Sequence, residues 1–158
     1  MNRVFMGIDP GLSGGIAVLD ESGVVLSVRK MPPTPTDILT YLEEITSGSE
    51  VSPVCYIEKV GTGMPGQSSK ATATFARHCG HLDMALLALG IPTNTVTPNK
   101  WEKFYQLGKS TSVSKSAWKN ILKAKAQQLF PMLGKKITLA TCDALLLAEY
   151  GRKKEIGK

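Results

Sequence analysis

Hydrophobic and polar positions change period several times along the 158 residues, and the changes mark the elements. The chain opens with the apolar run Val4-Phe5-Met6-Gly7-Ile8, which reads as a buried strand ending in Asp9. Gly15-Ile16-Ala17-Val18-Leu19 is a second run, Asp20-Glu21-Ser22-Gly23 a turn, and residues 24–28 a third strand. Short runs joined by a glycine-containing turn predict a hairpin, so the first three strands form an antiparallel meander. Pro32, Pro33 and Pro35 interrupt the pattern. Behind a cap at Thr36 or Asp37, Ile38, Tyr41, Leu42 and Ile45 then recur at helical spacing. Residues 54–58 repeat the first strand's design, apolar and then a terminal carboxylate, Glu58. A long helix is expected over about residues 68–89, stopped by Gly90, with Phe75, Leu82, Leu86 and Leu89 on its apolar side. A short strand over residues 93–97 precedes a helical turn from Pro98 holding Trp101, Phe104 and Tyr105. Ser114 caps a helix over residues 115–130 with Trp118, Ile121, Leu122 and Leu129 inward. The last helix is expected over about residues 139–150, and the basic tail from Gly151 is expected to fray.

This pattern is that of an α/β protein in which residues 1–158 form a single domain, without internal repeats. No apolar run is long enough to span a bilayer, and no secretory signal opens the chain. The three cysteines are an odd count without metal-ligand spacing, which suits buried thiols in a reducing, cytosolic-type compartment. Charge changes the picture more. The chain carries a net +6, but residues 1–97 hold 6 Lys+Arg against 9 Asp+Glu, while residues 98–158 hold 13 against 4. Such asymmetry suggests a polyanion partner, nucleic acid first, with a merely solvated lysine-rich surface as the plainer alternative. Lys115, Lys119 and Lys123 fall four apart and make one basic stripe, expected to meet the phosphates of DNA, Lys115 closest to the chemistry.

Three carboxylates stand among apolar neighbours: Asp9, Glu58 and Asp143. An ionised carboxylate in such a place needs a partner. Asp9 suits a metal ligand at the mouth of a strand and equally the first position of the turn that follows it. Asp143 lies in Ala140-Thr141-Cys142-Asp143-Ala144-Leu145-Leu146-Leu147, with no arginine or histidine close by on that helix. Two acids at strand ends and one on a late helix could converge on divalent cations, for which hard oxygen ligands select Mg²⁺ or Mn²⁺. Two such ions about 4 Å apart would support in-line phosphodiester hydrolysis.

The order strand-Asp, hairpin, helix, strand-Glu, long helix, late helix with Asp-Ala-Leu resembles the ribonuclease-H-like superfamily. Within it, Gly7-Ile8-Asp9-Pro10-Gly11, Ile57-Glu58 and Asp143-Ala144-Leu145 resemble RuvC-type Holliday junction resolvases, nearest the phage-encoded and plastid branch. Met64-Pro65-Gly66-Gln67, Val96-Thr97-Pro98-Asn99-Lys100-Trp101 and residues 144–150 add to the resemblance, which covers roughly residues 3–152. It implies a mixed five-stranded sheet flanked by helices and a homodimer making paired, metal-dependent cuts in four-way DNA junctions. It also implies residence in the cytoplasm of a bacterial or phage-infected cell, or in a plastid if the source is a plant. By position, Asp9, Glu58 and Asp143 match the family's metal-binding catalytic carboxylates. Lys115 matches a catalytic lysine near the scissile phosphate, and Lys109 a DNA-contacting lysine. Many bacterial members carry a further acid three residues before the last one, where this chain has Ala140.

Rival readings are a sugar-kinase or actin-like ATPase, a non-cleaving branched-DNA module, and a general ribonuclease H or flap nuclease. The first needs two such domains, which this length does not supply. Gly11 to Gly15 matches neither a Walker loop nor a dinucleotide fingerprint. His78-Cys79-Gly80-His81 has poor zinc spacing, which leaves helix packing or a dimer contact. Trp101 and Trp118 read as core anchors. Met64, on a glycine-rich loop beside Glu58, could wedge into an opened junction or simply belong to a mobile loop. The helix over residues 68–89 carries apolar residues beyond one stripe, including Cys79, Met84 and Leu87. The surplus suits a second copy of the chain, or cover by the C-terminal helices of the same copy.

Overall fold

Five strands, β1 (Asn2–Asp9), β2 (Gly15–Asp20), β3 (Val25–Lys30), β4 (Val51–Glu58) and β5 (Thr93–Val96), form one mixed sheet of order β3-β2-β1-β4-β5. This computed structural model describes residues 2–61 and 65–157. The meander β1-β2-β3 is antiparallel, while β4 joins β1 and β5 joins β4 in parallel. β4 begins three residues earlier than its apolar run, because Val51 to Pro53 pair with β1. Pro53 is tolerated there: Cys55 N–H, two residues on and pointing the same way, donates to Pro92 at the start of the β5 side, and β5 does not reach back to residue 53.

Helices cover both faces. α1 (Pro35–Thr46) and α2 (Ser69–Ala88) pack on one, where Val4, Met6, Ile8, Ile16 and Val18 meet Ile38, Leu42, Leu82 and Leu86. α1 starts earlier than its sequence suggested. Thr34 is the cap, accepting from Asp37 N–H and donating to the Asp37 carboxylate, and Pro35 takes the first helical position, where a missing N–H costs nothing. α2 is capped by Ser68 and contacts α1, whereas the C-terminal helices lie on the opposite face. Met84 and Leu87 of α2 therefore stay 64% and 75% exposed, and cover by those helices is excluded.

The opposite face carries α3 (Pro98–Phe104), α4 (Lys115–Leu129) and α5 (Cys142–Ile156). From Cys142 to Gly151 every residue of α5 is buried, because it lies flat on β1, β2 and β4 and is roofed by α3 and α4. Two glycines make that approach possible. A Cβ on Gly7 would stand 2.1 Å from the Ala144 carbonyl oxygen, and one on Gly151 would stand 2.3 Å from the Tyr56 ring. Each fully buried Leu on α5 contributes roughly 1.5–3 kcal/mol of transfer free energy.

The tail expected to fray from Gly151 is helical through Ile156. Its polar residues are tied to the body: Tyr56 Oη and Arg3 Nη2 donate to Glu155 at 2.8 and 3.2 Å, and Arg152 Nη1 donates to the Glu21 carbonyl at 3.0 Å. A composition rule for basic termini cannot see such partners, which come from residues more than 90 positions away.

Candidate metal and DNA cleft

Asp9 and Glu58 are the last residues of the central parallel strands β1 and β4, whose preceding residues Ile8 and Ile57 are paired. Gly7 and Tyr56, two residues earlier, face α5; strand alternation turns Asp9 and Glu58 the same way. Asp143 meets them from the first turn of α5. The three acids expected from the sequence to act together thus line one open cleft of about 1320 Å³. Its wall is built from the backbone of Gly11 to Gly14, from Lys70, Thr74, Phe75 and His78 of α2 and its approach, and from Thr138, Leu139 and Ala140.

The electrostatics are those of an under-compensated site. Burial, then repulsion from Asp143 and Glu58, pushes Asp9 from 3.8 up to about 8, with Lys119 opposing. Burial raises Glu58 from 4.5 to about 7 against the hydrogen bond from Trp101, with Asp143 and Glu102 adding repulsion. Trp101 Nε1 donates to Glu58 Oε2 at 2.7 Å, fixing one oxygen and leaving Oε1 for the cleft. In the next layer Trp118 Nε1 donates to Glu102 Oε1 at 3.1 Å. The tryptophans are core anchors, Trp101 being fully buried, and in addition each orients a carboxylate. The signal for this was available: a buried indole N–H needs an acceptor.

Lys119 occupies a place that its stripe did not suggest. Its ammonium bonds Asp143 Oδ2, lies 3.9 Å from Asp9 Oδ2 and donates to the Leu139 carbonyl at 3.4 Å. Burial alone would lower its pKa; attraction to Asp143, the hydrogen bond with it and attraction to Asp9 together hold it above the ordinary value. The expected DNA-contacting Lys119 is thus engaged within the acid cluster, because it borders the buried Trp118–Leu122–Ala126 stripe of α4. Cys142 Sγ stands 3.3 Å from Asp143 Oδ1, and burial, pushing the thiol to about 12, keeps it a donor.

The other candidates separate. Lys115 is exposed and lines the cleft one turn before Lys119. Lys123 is partly exposed and Lys109 fully so; neither lines the cleft. Met64 lies outside the described residues. Lys30 and Lys70 also line the cleft, although they belong to the acidic N-terminal part of the sequence, so a charge count along the chain misses them. His78 is buried at the cleft wall with no partner for Nε2 among the described residues, and burial, then His81, holds its pKa below the ordinary value.

Among the described residues no three His, Cys, Asp or Glu side chains close into a metal-holding group. The donor chemistry nonetheless suits a hard divalent cation. Asp9, Glu58 and Asp143 are oxygen donors whose mutual repulsion one Lys119 ammonium does not remove.

No family model and no curated protein matches the chain. Solved structures do. Thermus thermophilus RuvC in complex with a Holliday junction substrate aligns at TM-score 0.63 and 15% identity, over 98% of this chain and 96% of that one. A second Thermus thermophilus RuvC structure aligns at TM-score 0.59 and 16% identity over the same shares. With its mixed five-stranded sheet, flanking helices and element order, the chain has the ribonuclease-H-like fold of RuvC over nearly its whole length.

Proposed function

We propose that this chain is a metal-dependent endodeoxyribonuclease that resolves four-way DNA junctions by paired phosphodiester hydrolysis. The observation that carries the reading is the meeting of Asp9, Glu58 and Asp143 in one basic-rimmed cleft of a RuvC-like fold. Asp9, Glu58 and Asp143 would hold Mg²⁺ or Mn²⁺, which when bound supplies Lewis-acid activation of water and of the phosphoryl oxygen. Trp101 keeps the Glu58 carboxylate aimed, and the first turn of α5 brings Asp143 to the cleft. Lys115, exposed at the cleft, is placed to neutralise charge on a phosphate at the reacting position. Lys109, Lys123, Lys30 and Lys70 would track the backbone of the junction arms. The exposed Met84 and Leu87 of α2 support a homodimer, in which a two-fold axis presents two identical sites to a near two-fold substrate.

A non-cleaving junction-binding module is the second reading, favoured by Ala140 and by the ammonium already seated among the acids. Nicking of synthetic four-way junctions, flaps and RNA–DNA hybrids with Mg²⁺ or EDTA separates the readings. Symmetric, Mg²⁺-dependent cuts confined to junctions support the resolvase. Tight junction binding with no cut in any metal supports the module.

A further inference from the structure

Lys119 is the one lysine whose ion pairs, among the described residues, reach into the acid cluster. It enters from α4 on the Asp9–Asp143 side and also donates to the Leu139 carbonyl, next to Ala140. Ala140 lines the cleft there with a methyl group, which binds no cation. Glu58 differs: its polar partner is Trp101, on Oε2. With all four groups ionised, the three carboxylates and one ammonium of the cluster carry a formal charge of −2, which one divalent ion matches. Glu102, the next acid, does not line the cleft and is held by Trp118.

We propose that Lys119 is a resident cation of the site, a positioning residue that bridges Asp9 and Asp143 where a second divalent ion would otherwise sit. The cluster then takes one divalent ion per chain, at the Asp9–Glu58 side. The inference rests on reading the acids as a metal site. An ammonium on a flexible stem suits the role because it is a compact point charge with three donors, and its stem packs along the apolar flank of α4. It also holds two acids close together before any ion arrives, which lowers the repulsion that binding must overcome.

The test uses the full chain without DNA, so that it does not depend on cleavage. Metal-stripped protein is titrated with Mn²⁺, free ion being followed by its paramagnetic resonance signal, and thermal unfolding is recorded with and without the ion. Wild type is expected to bind one Mn²⁺ per chain. Lys119→Met removes the charge and keeps the length. It should unfold at lower temperature without metal, gain more from Mn²⁺ than wild type does, and bind Mn²⁺ about tenfold tighter or take a second ion. Lys119→Arg should keep the wild-type count. Two ions of similar affinity on wild type would overturn the inference while leaving the metal site intact, a result independent of whether Lys119→Met folds. Unchanged Mn²⁺ count and affinity in folded Lys119→Met would overturn it too. No Mn²⁺ bound by wild type would overturn the metal reading itself.

Discussion

The two halves of α5 pose the same problem and solve it differently. In its C-terminal half Arg152 gives two bonds, at 2.7 and 2.8 Å, to the buried mid-helix Glu149, with Lys153 at 3.9 Å. At its N-terminal end Asp143, Asp9 and Glu58 share one ammonium. A buried acid with a bidentate guanidinium is compensated: each oxygen accepts from a full positive charge. Three acids with one ammonium are unfinished: burial first, then repulsion among the acids, pushes two of them to about 8 and about 7, and the one ammonium does not offset it. One helix thus carries a structural ion pair and, less than two turns away, an open cation site. The difference in compensation, and not burial, distinguishes them.

The sharpest way to break that contrast is to exchange the acids for their amides. Asp9→Asn, Glu58→Gln and Asp143→Asn should each lower junction nicking by more than about 100-fold, beyond what loss of an outer-shell partner costs, while junction binding persists. Glu149→Gln should leave the cleavage rate of the folded protein unchanged. Its effect should fall on stability, on the order of 3 kcal/mol, because the Arg152 guanidinium loses its charged partner. In a chain of this size that is a fall in melting temperature of roughly 10 °C. Wild-type nicking by any of the three amide variants removes that residue from the site. Loss of nicking in folded Glu149→Gln removes the distinction between the halves.

Stability against pH is the next-largest effect. Asp9 and Glu58 have folded-state values of about 8 and about 7, against ordinary values of 3.8 and 4.5. The fold therefore holds protons that the unfolded chain has released. Their contribution to stability is fully present below about pH 4 and is lost as pH rises through about 7 to 8. In EDTA the melting temperature should drop between about pH 5.5 and about pH 8.5, and Mg²⁺, which needs the ionised acids, should shrink that drop. Glu58→Gln should also flatten it. A metal-free melting temperature that rises over this range would show that the N-terminal half is as well compensated as the C-terminal one.

The sequence made the acids legible and left their compensation obscure, for a physical reason. Asp9, Glu58 and Asp143 announce themselves because each interrupts an apolar run, but that the first two share a face follows only from the register that pairs Ile8 with Ile57. What balances a buried charge is a matter of three-dimensional reach. Lys119 lies 24 positions from Asp143, and its periodicity marks it only as one lysine of a stripe. Trp101, 43 positions from Glu58, reads equally as a core residue. The same blindness misjudged the C-terminus, where a lysine-rich tail looked loose until Glu149 and Glu155 met Arg152 and Arg3. The strands and the antiparallel meander were readable because they depend on local pattern and turn chemistry, whereas the mixed sheet followed only from the family resemblance. The α1 boundary was misplaced because Thr34, Thr36 and Asp37 are all acceptable caps, and only the position of Pro35 selects among them.

The smallest expected effect concerns lysines outside both clusters. Lys123 lies two turns along α4 from Lys115 and is partly exposed. Lys153 lies at the C-terminal end of α5, 3.9 Å from Glu149. If DNA follows the cleft end, Lys123→Ala should weaken junction binding and reduce the log–log salt slope by about one, the loss of one phosphate contact. Lys153→Ala should leave the slope unchanged, since DNA placed on the cleft does not reach it. Both substitutions remove one positive charge from a surface helix, so a general effect of net charge would move the two slopes equally. Equal slopes would therefore assign the basic C-terminal half to diffuse attraction of polyanions, and unequal ones to a track that begins at the unfinished end of α5.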